Sequence, residues 1–205
     1  MQNVEILSNG LSAVEKLYDQ SMYGHVDLFR IKDLVHSLKP NHWIGKQWLV
    51  DELLKVYDGD GIIHCAGGWY GLIAYLIKQK FQDNTVISSD IDEYCSTLGK
   101  ILFKDNGINF YDMDMAIASI KGGDVFITTS GEHIDREDLI SIINMCSYKY
   151  IVIQSNDYFE VDSHVNCSEN LEEFKSYIQP ALSKIHYFGE LNLGKYNRFM
   201  IIGEK

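Results

Sequence analysis

The sequence is poor in proline: Pro40 and Pro180 are the only two in 205 residues, and no low-complexity tract or internal repeat occurs. A chain of this length without a linker-like segment suits one domain. Positive charge is also scarce. Eighteen Lys and Arg face 29 Asp and Glu, giving a net charge of −11, and no Lys/Arg cluster stands out. This argues against a protein that holds nucleic acid by neutralising phosphates. The four cysteines, Cys65, Cys95, Cys146 and Cys167, are far apart and form no CxxC pair. No zinc or iron–sulfur site is expected from them, so no metal is assigned, and reduced buried thiols in a cytoplasmic protein are the plain reading. No apolar run reaches the ~18–20 residues of a membrane-spanning helix, and the first residues lack the basic start and apolar core of a signal peptide. A membrane partner is not expected.

What is present is a 46% hydrophobic chain with a marked alternation of patterns. Residues 11–23 and 25–38 carry apolar side chains at helical spacing. Lys39-Pro40-Asn41 breaks the second helix, because the residue before proline avoids the α region. A third helix is expected from about Gly45 to Tyr57, closed by Asp58-Gly-Asp-Gly61. Strands are then expected at 62–65, 85–89, 108–111, 125–128 and 150–154, alternating with helices at 71–79, 93–105, 136–146 and 171–178. Met115–Ile120 reads as a short helix or loop. Such alternation implies a doubly wound, mostly parallel sheet. The last two strands, 184–192 and 198–203, are joined by only Leu193–Asn197, so they must be antiparallel neighbours. The expected fold is thus α/β, a mostly parallel seven-stranded sheet with a C-terminal antiparallel hairpin, preceded by N-terminal helices.

The densest signal is Gly61–Leu76, where an apolar strand runs through Cys65-Ala66-Gly67-Gly68-Trp69-Tyr70-Gly71 into a helix. The next strand ends in Asp90, followed by Ile91. Glycines let backbone approach a ligand closely, and an acid one strand later accepts hydrogen bonds from ribose hydroxyls. The glycines could equally mark only a tight turn, and Asp90 could merely cap the following helix, with Asp92 the better candidate for that cap. The residues that end the fourth and fifth strands, Thr129 to His133 and Gln154 to Asp157, fall where open α/β sheets bind ligands.

These segments resemble, in order and spacing over residues 45–205, the class I S-adenosylmethionine-dependent methyltransferases. The glycine turn is similar to that family's first motif, and Asp90 to its ribose-binding acid. Asp112-Met113-Asp114-Met115 resembles its adenine-contacting segment, and Gly123–His133 its fourth motif. A related small-molecule signature ends that loop in Glu-His, as here at Glu132-His133. The stretches 43–48, 154–158 and 196–199 resemble a bacteriophage and bacterial subgroup. The resemblance implies residues 58–205 as a Rossmann-like domain and 1–57 as a helical cap packed on it. It implies S-adenosyl-L-methionine as cofactor, held by Cys65, Ala66, Gly67, Gly68, Trp69, Gly71, Asp90, Ile91, Asp112, Met113, Asp114, Thr129 and Ser130. Asp112 and Asp114 compete for the adenine amine. Gln154, Ser155, Asn156, His164 and Tyr196 would face the substrate. His133 would act as general base, with Glu132 orienting it, binding substrate, or pairing with Arg136.

The family usually opens its first motif with an acid at the end of the first strand. Here that position is His64 or Cys65, so the methionine end of the cofactor must be held differently, with Asp51 or Gln47 as candidates. The Asp/Asn-Pro-Pro-Tyr motif of DNA amino-methyltransferases and the Pro-Cys of cytosine C5 enzymes are absent. The expected activity is methyl transfer to an oxygen or nitrogen of a small molecule. Aminocarboxypropyl transfer, as in nicotianamine-synthase-like enzymes, and a non-catalytic methyltransferase-like subunit remain open. NAD binding is disfavoured by the terminal hairpin and the glycine spacing.

Overall fold

The structure, a computed structural model, describes residues 28–205. The helix expected at 11–23 lies outside them. Of the next, α1 (Leu28–Ser37) is described. The third helix begins earlier than its apolar pattern suggests: α2 spans Pro40–Leu53. Pro40 does not only end what precedes it. At the first helical position its missing N–H costs nothing and its fixed φ suits the helix.

A single seven-stranded sheet follows, built from β1 (Ile62–Ala66), β2 (Thr85–Asp90), β3 (Ile108–Asp112), β4 (Gly123–Thr128), β5 (Tyr148–Asn156), β6 (Lys184–Asn192) and β7 (Asn197–Glu204). Its order is β3-β2-β1-β4-β5-β7-β6. The first five strands pair in parallel, and β7 runs antiparallel to both β5 and β6. The helices α3 (Leu72–Lys80), α4 (Glu93–Leu102), α5 (Met115–Ser119), α6 (Arg136–Met145) and α7 (Leu171–Ile178) make the crossovers. Strand order reverses between β1 and β4, and the carboxyl ends of those strands form the crevice in which such sheets bind ligands.

The strands divide their side chains between two cores, as a two-residue period requires. Ile63, Cys65, Val125, Ile127, Val152, Met200 and Ile202 pack toward α2, α3 and α4 with Leu49, Leu53, Ile73, Ile77 and Leu98. Phe126, Ile151, Ile153, Phe199 and Ile201 pack toward α6 and α7 with Leu139, Ile143, Phe174 and Ile178. One element departs from its expected bounds in a way that matters for function. β5 continues to Asn156, because Gln154, Ser155 and Asn156 pair with Met200, Phe199 and Arg198 of β7. These three residues are fully buried members of a central strand, not a polar loop beyond it.

Candidate active site

The glycine turn leaves β1 with Gly67 at φ 62°, Trp69 at φ 53° and Gly71 at φ 90°. Left-handed backbone is cheap for glycine and strained for tryptophan. Trp69 is held there from three sides. Its N–H donates to Asp90 Oδ2 at 2.8 Å, its Nε1–H donates to Asp33 Oδ2 at 2.9 Å, and the rings of His36 and His42 meet its indole edge-on. The Gly68 N–H donates to the Ser89 carbonyl at 2.9 Å, and a Cβ there would meet Ser88 Oγ at 2.4 Å. Both constraints draw the turn onto the end of β2. Cys65 and Ala66 are buried, so their side chains belong to the core and only their backbone is available to a ligand. Burial pushes the Cys65 thiol far up.

Against this turn lies a cavity of about 410 Å³ lined by Gly67, Asp90, Ile91, Met113, Asp114 and Met115. It thus gathers five of the expected cofactor residues, and Asp114 rather than Asp112, which is exposed at the end of β3. Asp114 caps α5 by accepting the Ala116 N–H at 2.7 Å through Oδ1, leaving Oδ2 for another donor. Asp90 accepts N–H bonds from Trp69 and Asp92, and burial raises its pKa above the ordinary value for aspartate. A carboxylate has about four lone-pair sites, so two remain for hydroxyl donors. Capping of α4 falls to Asp92, which accepts from the Tyr94 N–H at 3.0 Å. Sequence reading missed the far wall, Asp138, Ser141, Ile142 and Met145 of α6, because a helix facing a cavity has the same periodicity as one facing a core.

His64 occupies the place of the missing acid. It is buried between the Tyr148 hydroxyl on Nδ1 and Ser89 Oγ on Nε2, both at 2.8 Å, and desolvation lowers its pKa to about 4. It serves as a neutral tie between strands. Gln47 and Asp51 do not replace the acid either: Gln47 Nε2 donates to Asp51 Oδ1 on the outer side of α2. The neighbouring Lys46 is the residue that the pattern hid. Its side chain is only 7% exposed and has no hydrogen-bond or ion-pair partner among the described residues. It lies in the field of Cys65, Arg198 and Glu132, and burial lowers its pKa to about 7.

Beyond β4 the chain forms a 3₁₀ turn, Gly131–His133. Ser130 Oγ donates back to the Gly67 carbonyl at 3.2 Å, joining this loop to the glycine turn, and Thr129 is buried with its carbonyl accepting from Arg198 Nη1. Glu132 is buried but neither orients His133 nor pairs with Arg136. Its Oε1 accepts from Asn156 Nδ2 at 2.8 Å and Arg198 Nη2 at 3.1 Å, while Arg136 pairs with Glu173. Gln154 donates to the Gly45 carbonyl and Ser155 to the Asn166 carbonyl, so both fasten neighbouring segments. The rings of His133 and His164 meet edge-on at 4.7 Å, and Tyr196 stacks on Tyr158 at 5.5 Å. Trp43 packs edge-on against Tyr75 of α3 and Trp48 against Tyr187 of β6, and neither lines the cavity.

No described protein family and no curated protein matches the chain. Solved structures do. The magnesium protoporphyrin IX methyltransferase of Synechocystis PCC 6803 with bound SAM aligns with a TM-score of 0.63 at 18% identity, over 89% of this chain and 86% of that one. The pyocyanin biosynthetic protein PhzM gives 0.64 at 12% identity, over 91% and 61%. The N-terminal domain of EvdMO1 with SAH bound gives 0.57 at 7% identity, over 78% and 80%. The fold is that of class I SAM-dependent methyltransferases: a mostly parallel seven-stranded sheet closed by an antiparallel hairpin.

Proposed function

We propose that this chain binds S-adenosylmethionine and transfers its methyl group to an oxygen or nitrogen of a small molecule. The observation that carries the reading is the cavity at the glycine turn, where Gly67, Asp90 and Asp114 converge at the carboxyl ends of β1, β2 and β3. The cradle fits a nucleoside with an amino-acid tail. Gly67 leaves room that a Cβ would lose against Met115, Asp90 keeps two acceptor sites for ribose hydroxyls, and Asp114 Oδ2 can accept from the adenine amine. Met113 and Met115 offer adaptable apolar surface to the ring. Lys46 does not line the cavity, but it is buried in the field of Cys65, which precedes the glycine turn, and its ammonium would suit the tail carboxylate, since a buried charge is stable only when paired.

When bound, the cofactor supplies a methyl group on a sulfonium, reactive enough that the protein mainly positions the acceptor and excludes water. The acceptor side is the turn at Thr129–His133 together with β5, where Gln154, Ser155 and Asn156 hold the wall in shape. His133 donates its Nδ1–H to the Ser163 carbonyl at 3.0 Å, which places its lone pair on Nε2. That lone pair can draw the proton from the acceptor directly. The acidic surface favours a small molecule over nucleic acid.

Calorimetry with S-adenosylhomocysteine tests the reading. One site per chain is expected, with affinity weakened at least about tenfold in Lys46→Met, on the scale of a lost charged hydrogen bond. Absence of binding would reduce the chain to a methyltransferase-like subunit. Analysis of the spent cofactor then separates the reactions, because methyl transfer leaves S-adenosylhomocysteine whereas aminocarboxypropyl transfer leaves methylthioadenosine.

A further inference from the structure

Among the described residues no cysteine falls in a group that could hold a metal, but a different set of donors converges at the acceptor side. Glu132, His133 and His164 each bring one ligand atom within 4.8 Å of the others. The two imidazoles are fixed in the same tautomer. His133 donates Nδ1–H to the Ser163 carbonyl at 3.0 Å, and His164 donates Nδ1–H to the Tyr158 carbonyl at 2.7 Å. Both lone pairs therefore sit on Nε2, and an Nδ1–H held by a carbonyl is the arrangement that orients histidine ligands toward metals. The carboxylate is prepared in the same sense. Glu132 Oε1 is saturated by Asn156 and Arg198, whereas Oε2 is buried with no hydrogen-bond partner among the described residues. A buried carboxylate oxygen without a donor is costly, and a cation removes that cost.

The scaffold under these donors is tied at several points. The Asn166 N–H donates to the Glu132 carbonyl at 3.1 Å, Asn166 Nδ2 to the Gly131 carbonyl at 3.3 Å, and Ser155 Oγ to the Asn166 carbonyl at 3.1 Å. The loop that carries His164 is thereby fastened to the turn that carries Glu132 and His133. Bonds of ~2.1 Å in a tetrahedral site separate ligand atoms by roughly 3.4 Å. The present spacing of up to 4.8 Å is wider than this, so binding an ion would draw the three donors together.

We propose that Glu132, His133 and His164 form a site for a divalent transition metal, with two imidazoles, one carboxylate and at least one open position. Two nitrogens and one oxygen suit zinc, cobalt(II) or iron(II) and are too soft a set for magnesium or calcium. With His133 on the ion, the ion rather than the imidazole would activate the acceptor: an open position would take a substrate hydroxyl oxygen and lower its pKa, and its proton would pass to bulk water. That extension rests on the methyltransferase reading, whereas metal binding does not.

The test uses the full chain stripped with a chelator and titrated with Co²⁺, followed by its visible d–d absorption, with Zn²⁺ displacing it. A saturable spectrum at one equivalent is expected, weakened at least about tenfold in both His133→Ala and His164→Ala. His133→Gln, at an exposed position, guards against loss of fold in the alanine variants, and far-UV circular dichroism confirms it. Lack of a saturable spectrum, or equal affinity in the wild type and both histidine variants, overturns the site. No cofactor is added, so this result stands or falls independently of S-adenosylhomocysteine binding measured on metal-free protein.

Discussion

His64 shows how a single side chain can carry the identity of a motif and mislead about it. The sequence places it where an acid is expected, yet its two hydrogen bonds make it a neutral cross-link of β1 with Ser89 and Tyr148. Burial holds its pKa near 4, below the ~6.5 of an unfolded histidine. Between those values the unfolded chain takes up a proton that the folded chain refuses, so stability falls as pH drops. The contribution is whole above about pH 6.5 and lost by about pH 4, amounting to about 3 kcal/mol. His42, with a pKa lowered to about 3 by burial and by Lys46 and Arg198, adds to the same slope. Urea midpoints from pH 7 to pH 4 should decline steeply in the wild type and less so in His64→Gln. Equal slopes would remove His64 from this role.

At the scale of elements, the strand-turn-helix at β1 and the hairpin β6–β7 were legible because their signals are local: glycines at left-handed positions, and a connection too short for a crossover. Gly71 allows the turn to be tested as an element. At φ 90° a side chain is strained, and a Cβ would meet Phe110 Cε1 at 2.5 Å. Gly194 has φ 84° but nothing within 4 Å. Gly194→Ala should therefore cost only the backbone part, about 1 kcal/mol, whereas Gly71→Ala adds overpacking of about 1–3 kcal/mol. Thermal or urea unfolding of the two variants measures the difference, and equal losses would show that packing against Phe110 is unimportant. The extension of β5 through Gln154–Asn156 was not legible. Polar residues in a strand become acceptable only when β7 and Glu132 supply partners from some 40 and 20 residues away.

For the molecule as a whole, α1 and α2 share a core with the sheet. Leu34, Leu49, Val50 and Leu53 belong to the same core as Ile63, Ile73 and Val125. Arg30 pairs with Asp92, and Asp33 accepts from Trp69 and Tyr70 beside the glycine turn. A chain that starts at residue 58 should thus fail to unfold cooperatively and should expose apolar surface, checked by calorimetric unfolding and dye binding. A sharp transition for that fragment would make residues 58–205 a free-standing domain. Among the described residues no helix is long and apolar enough to cross a membrane.

The sequence by itself determined the strand order's ingredients: the alternation of elements, the terminal hairpin, the glycine turn and the acids that follow it. Those depend on local periodicity and backbone freedom, which neighbouring residues decide. Only the tertiary structure decided which acid lines the cavity, that Glu132 pairs with Arg198, that Lys46 is buried with no partner among the described residues, and that two histidines 31 positions apart share a corner. Partner choice among charged and polar groups is set by what burial brings within hydrogen-bond reach, and no spacing along the chain encodes it.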